Sequence, residues 1–139
     1  MNINDLEKFD AKKMYKEYDR WPEIAQDSFE KKFEKFDAKD IDHIVFAGMG
    51  GSGSIGDTIG SILSKEDIHV SNVKGYLLPK TVDSRTLVIA TSVSGKTMET
   101  IQILKNVKKS SATAIGFSSG GILEQYCENE DIFFQRIPM

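Results

Sequence analysis

Two short apolar runs, HIVFA and TLVIAT, each end in a cluster of small residues and pass at once into a helix-compatible segment. The first runs on as GMGGSG (Gly48–Gly53) and the second as SVSGKT (Ser92–Thr97). An apolar run this short, without polar alternation, is a strand covered on both faces. A strand that leads through a glycine turn into a helix is the repeating unit of a parallel sheet. IHVSNV, ATAIGFSS and IFFQRI read as three further strands. SIGDTIGSILSK reads as a helix with Ile55, Ile59, Ile62 and Leu63 on its apolar side. TMETIQILKNVKK reads as one with Met98, Ile101, Ile103, Leu104 and Val107. GILEQYCEN is a short helix that carries Cys127 as a small buried hydrophobe, and YLLPKTVDS is a connection around Pro79. The expected fold is α/β: a three-layer sandwich with a five-stranded parallel sheet in the flavodoxin-like order 2-1-3-4-5, which right-handed crossovers favour.

Residues 1–40 differ from the rest. They are charged and helix-favouring, with Pro22 and Glu23 suited to a first helical turn. Ile24, Phe29, Phe33 and Phe36 fall on one face, so a helix packed on a domain is expected there. The organisation read from the sequence is an N-terminal helical segment, 1–40, and one α/β domain, 41–139. A net charge of -3 supplies no electrostatic reason to bind nucleic acid. No apolar run approaches the ~20 residues of a membrane span. The start MNINDLEKFD lacks an apolar signal-peptide core, and a single cysteine permits no internal disulfide, so a cytoplasmic location is expected.

The two glycine loops each admit a nucleotide reading. Gly48, Gly50 and Gly53 spell G-x-G-x-x-G after a strand and before a helix. A dinucleotide site also needs an acid at the carboxyl end of the second strand, and that strand ends in Asn72 and Val73. Ala90, Gly95, Lys96 and Thr97 have P-loop spacing with alanine for the first glycine. Ala90 belongs to the apolar strand, which leaves a loop too short to wrap a triphosphate. No other strand ends in an aspartate for magnesium. What remains is three hydroxyls, Ser92, Ser94 and Thr97, around Gly95 at a helix N-terminus. That arrangement suits one phosphate monoester. The competing explanation is that a hydroxyl merely caps the helix, but one cap accounts for one hydroxyl.

GMGGSGSIGD, followed roughly forty residues later by SVSGKTMET, resembles the sugar isomerase (SIS) domain. It is most similar to the first half of the archaeal and bacterial bifunctional phosphoglucose/phosphomannose isomerases. The likeness covers almost the whole chain, the RWPE start included. The family loop reads S-x-S-G-N-T-x-E-T, and this chain departs from it at Lys96. The resemblance implies that Ser92, Ser94, Gly95 and Thr97 hold the phosphate of a sugar phosphate. Gly50, Gly51 and Ser52 would line the sugar side. It implies aldose–ketose isomerisation through an enediol, with no metal and no cofactor, in proteins that carry two such domains and work as dimers.

The acid and base are not evident in the chain. His43 precedes the first strand and His69 begins the second, so both belong to the edge opposite the loops. Glu99 is the one carboxylate close to the phosphate loop, and complementing the helix dipole accounts for it without catalysis. Asp57 reads the same way. The catalytic base, a histidine and a phosphate-binding arginine are expected in a second SIS domain beyond this chain. The expected partners are a sugar phosphate and a second SIS domain or second copy. The alternatives are a non-catalytic sugar-phosphate sensor and, through the Ala90–Thr97 spacing, a small nucleotide-binding protein.

Overall fold

The computed structural model describes residues 8–138. The chain divides into two compact units, Met1–Phe33 and Glu34–Met139. In the first, α1 (Met14–Asp19) and α2 (Trp21–Glu30) are short helices, and Pro22 occupies the first turn of α2. Tyr18 and Trp21 meet edge to face, ring centres 4.8 Å apart. The helix expected to run through Phe33 and Phe36 stops at Glu30, and no residue of α2 is buried. Phe29 is 91% exposed. Within this unit Ile24 and Phe29 form no buried face.

The second unit is the α/β sandwich. Its order is β1 (His43–Ala47), α3 (Gly51–Leu63), β2 (His69–Val73), β3 (Thr86–Thr91), α4 (Met98–Val107), β4 (Thr113–Ser118), α5 (Ile122–Asn129) and β5 (Phe133–Arg136). The sheet is parallel throughout, in the order β2-β1-β3-β4-β5. His43 pairs with both His69 and Thr86, and Ala90 with both Ala47 and Gly116, which sets the register at the two edges.

Alternation along the strands sends neighbouring residues to opposite faces. Val45, Ala47, Val88 and Ala90 face α4 and α5, where they bury Ile101, Ile103, Leu104, Val107, Leu123 and Cys127. Burial pushes the Cys127 thiol up to about 11, as befits a packing residue rather than a nucleophile.

The opposite face carries α3, and here the sequence expectation is corrected. The isoleucine side of α3 is only partly buried: Ile59 and Leu63 are half-buried, whereas Ile55 is half exposed and Ile62 is 69% exposed. Gly53 and Gly56 are buried instead. A methyl group on Gly56 would lie 2.6 Å from Phe46 Cβ and 2.5 Å from Asn72 Oδ1, so α3 approaches β1 and β2 at backbone distance.

The amino edge of the sheet holds a closed polar network. His43 is 5% exposed and its Nε2 lies 2.9 Å from Ser71 Oγ, which lies 3.1 Å from His69 Nε2. Thr86 Oγ1 donates to Asp83 Oδ1 at 3.2 Å and sits 3.3 Å from His43 Nδ1. Both histidines therefore belong to the edge away from the glycine loops. Among the described residues, no helix is long and apolar enough to cross a membrane.

Candidate functional site

The loops that follow β1, β3 and β4 converge on the carboxyl edge of the sheet, where ligands bind in open parallel α/β sheets. Gly48 N–H donates to Val73 O at 3.1 Å, and a methyl group on Gly48 would lie 3.0 Å from Thr91 O. The first glycine loop therefore lies directly against the end of β3. Gly50 adopts φ 55, ψ -129, a conformation reserved for glycine, and its carbonyl accepts from Gly53 and Ser54 N–H at 3.0 and 3.1 Å. No heavy atom of the folded chain would come within 4 Å of a methyl group on Gly51, so this point is open space. Ser52, half-buried beside it, borders a cavity of about 300 Å³ walled by Phe46, Ile55, Ile89 and Phe117. Those apolar walls exclude the cavity itself as an anion cradle.

Ala90 and Thr91 are both paired in the sheet, so the second loop proper is the six residues Ser92–Thr97. That length decides between the readings of the P-loop spacing: a chain still in the ladder at Ala90 cannot wrap a triphosphate. Ser92 Oγ and Thr97 Oγ1 are 2.7 Å apart. Ser94 Oγ accepts from Lys96 N–H at 3.3 Å and keeps its own proton to donate. Gly95 sits at φ 63, where a methyl group would overlap the carbonyl oxygen of Gly120.

The capping explanation is the one the geometry answers. No side chain caps α4. The Ser92 and Thr97 hydroxyls bond each other, and Ser94 faces the amide of Lys96, outside the helix. The first turn of α4 therefore presents its backbone N–H groups without a side-chain acceptor, beside three hydroxyls. Partial positive charge and donors at one point are what an anion site requires.

A third loop was not singled out from the sequence. Ser119 donates through both N–H and Oγ to Val93 O, at 3.0 and 2.6 Å, and Leu123 N–H donates to Gly95 O at 2.9 Å. Ser118 Oγ donates to Gly120 O at 2.6 Å and accepts from Gly120 N–H at 2.9 Å. The carbonyls of Val93 and Gly95 are thus turned toward Ser119 and α5, while Ser94 stays exposed. The signal was present as SSGG after β4.

The acids are accounted for by their neighbours. Asp57 accepts from Lys74 Nζ at 2.6 Å and from Asn72 Nδ2 at 3.0 Å, which ties α3 to the end of β2. Glu99 lies beside the Tyr76 hydroxyl, and its carboxylate raises the Tyr76 pKa. Glu124 holds Arg136 through both carboxylate oxygens, at 2.6 and 2.7 Å. Among these, Glu99 alone stands in the first turn of the phosphate helix.

Comparison with protein-family models finds no match. A bifunctional phosphoglucose/phosphomannose isomerase of Caldicellulosiruptor bescii is 39% identical over 102 residues, 73% of this chain and 30% of that protein. D-glucosamine-6-phosphate 4-epimerase of Sulfolobus acidocaldarius is 31% identical over 114 residues, 81% of this chain and 35% of that protein. The chain spans about a third of the length of these curated relatives. Among solved structures, tagatose-6-phosphate ketose/aldose isomerase from Escherichia coli superposes with a TM-score of 0.59 at 20% identity, over 72% of this chain and 30% of that one. The chain is therefore a homologue, over one domain, of the bifunctional phosphoglucose/phosphomannose isomerases, and it has the sugar isomerase (SIS) fold.

Proposed function

We propose that the Ser92–Thr97 loop binds the phosphate of a hexose phosphate. On this reading the chain is the phosphosugar-binding domain of an aldose–ketose isomerase. It would act between glucose 6-phosphate or mannose 6-phosphate and fructose 6-phosphate. The observation that carries the reading is the uncapped first turn of α4 beside three hydroxyls. The names of the relatives support the choice of sugar phosphate over free phosphate.

In this scheme Ser94, Thr97 and the amides after Gly95 anchor the phosphate. Gly50, Gly51 and Ser52 leave room for the sugar carbons above the end of β1. Anchoring one end of the substrate holds C1 and C2 in place for proton transfer. A base must then take the C2 proton while O1 gains one, which leaves an enediol, and the proton is then returned at C1 as O2 gives up its own. Among the described residues Glu99 is the one carboxylate in the first turn of α4, and its place beside Tyr76 supports a structural role. We therefore assign the acid and base to residues outside this chain, in a second SIS domain. The exposed apolar surface of Ile62, with the half-exposed Ile55, is surface that such a pairing would cover.

Calorimetric titration with glucose 6-phosphate, fructose 6-phosphate, mannose 6-phosphate and magnesium ATP tests the reading. Saturable binding of a hexose phosphate and none of ATP is expected. Magnesium-dependent ATP binding that is lost in Lys96→Ala would replace it with the nucleotide reading.

A further inference from the structure

Lys96 is the one basic residue between Arg85 and Lys105, and it stands inside the phosphate loop. Its side chain is exposed and forms no ion pair among the described residues. Glu99, three residues on, has the helical spacing at which it could neutralise Lys96. The Glu99 carboxylate is instead beside the Tyr76 hydroxyl, whose backbone carbonyl is held by Asn106 Nδ2 at 3.2 Å. Among the described residues, the cation in the loop has no ion-pair partner.

Apart from the Glu99 carboxylate, the remaining groups at the site carry no full charge. They are three hydroxyls and the amides of α4, with a helix dipole worth about half an elementary charge. Such donors hold any tetrahedral ester oxygen and discriminate weakly between one negative charge and two. A full cation does discriminate, because its attraction scales with the charge on the ligand. We propose that Lys96 sets the charge preference of the loop: it makes the site select a dianionic phosphate monoester over a monoanionic ester of the same shape. This rests on the phosphosugar reading above. Because Lys96 is exposed, its contribution is that of an exposed ion pair, about fivefold in affinity or ~1 kcal/mol, and salt screens it.

The test uses glucose 6-phosphate and glucose 6-sulfate as a matched pair, titrated at about pH 7.5, where the phosphate is close to a dianion. Lys96→Met should lower the preference for phosphate over sulfate about fivefold at low salt, and less at high salt. The double variant Ser94→Ala, Thr97→Ala should weaken both esters alike. If Lys96→Met keeps the wild-type preference while the double variant weakens both esters, the role of Lys96 is overturned and the phosphosugar reading stands. If the wild-type chain binds neither ester, the reading falls and this inference with it.

Discussion

The Ser92 and Thr97 hydroxyl oxygens lie 2.7 Å apart and close the loop between β3 and α4 from its two ends. Ser92 is 2% exposed, and Thr97 is the sole partner of its hydroxyl among the described residues. Thr97→Val keeps the side-chain shape and strands that buried oxygen, at a cost of ~1–3 kcal/mol. Removing both hydroxyls, as Ser92→Ala with Thr97→Val, should cost less than the sum of the two single changes. Denaturant melts of the three variants measure the cycle, and strictly additive losses would show that the pair is not coupled.

Ser94 and Thr97 are assigned to the phosphate itself. A hydrogen bond to a charged group contributes ~1.5–3 kcal/mol, so Ser94→Ala combined with Thr97→Ala should weaken hexose phosphate binding at least about tenfold. Ser94 is exposed, so the fold should survive its replacement. A folded double variant with wild-type affinity would remove the loop from the site.

Two glycines separate a folding role from a binding role. Gly95→Ala places a methyl group on the Gly120 carbonyl and forces a non-glycine residue to φ 63, so it should lower the melting temperature and abolish binding together. Gly51→Ala meets open space in a helix and should be neutral or stabilising by up to ~1 kcal/mol. If Gly51 faces the sugar, affinity for glucose 6-phosphate nonetheless falls while inorganic phosphate binds as before. Equal losses for both ligands would place Gly51 elsewhere.

Stability should depend on pH through His43. Burial, and secondarily the neighbouring His69, hold its pKa below the usual 6.5, against the opposing pull of Asp83 and Asp42. The unfolded chain therefore takes up the proton first. The stabilising contribution is complete above about pH 6.5 and is lost as pH falls through the folded-state value. Melting temperatures measured from neutral to mildly acid pH should decline, and imidazole NMR should show His43 titrating below the usual 6.5. A flat profile with His43 titrating at or above that value would contradict this assignment.

Isomerisation by this chain alone should be absent or very slow. The phosphate loop fixes one end of the substrate, and both histidines lie at the opposite edge of the sheet. Exchange of the C2 proton of glucose 6-phosphate, or of a C1 proton of fructose 6-phosphate, in deuterated water, followed by NMR, reports any base directly. Rapid exchange that vanishes in Glu99→Gln would make Glu99 the base and return the chemistry to this domain.

Much of this architecture is written locally. HIVFA and TLVIAT are buried strands because nothing polar interrupts them, and the small residues behind them can only turn. With strands, turns and helices placed, the right-handed crossover leaves the order 2-1-3-4-5 and brings Gly48–Gly53 and Ser92–Thr97 to one edge. The convergence of the two loops was legible for that reason, and so was the place of Ala90 in the strand.

Other features depend on approach between distant segments, and spacing does not report it. In α3 the glycines and the isoleucines both recur at helical intervals, and periodicity cannot say which set meets the sheet. The backbone-to-backbone fit of Gly56 against Phe46 and Asn72 decides it. In the same way, nothing local tells whether the hydroxyl of Thr97 caps its own helix or reaches back to Ser92, or that Ser119 will hold Val93 from behind. Hydrophobic pattern is a one-dimensional property and survives in the sequence. Hydrogen-bond partnership and close packing are set by distances across the fold, and only the tertiary structure supplies them.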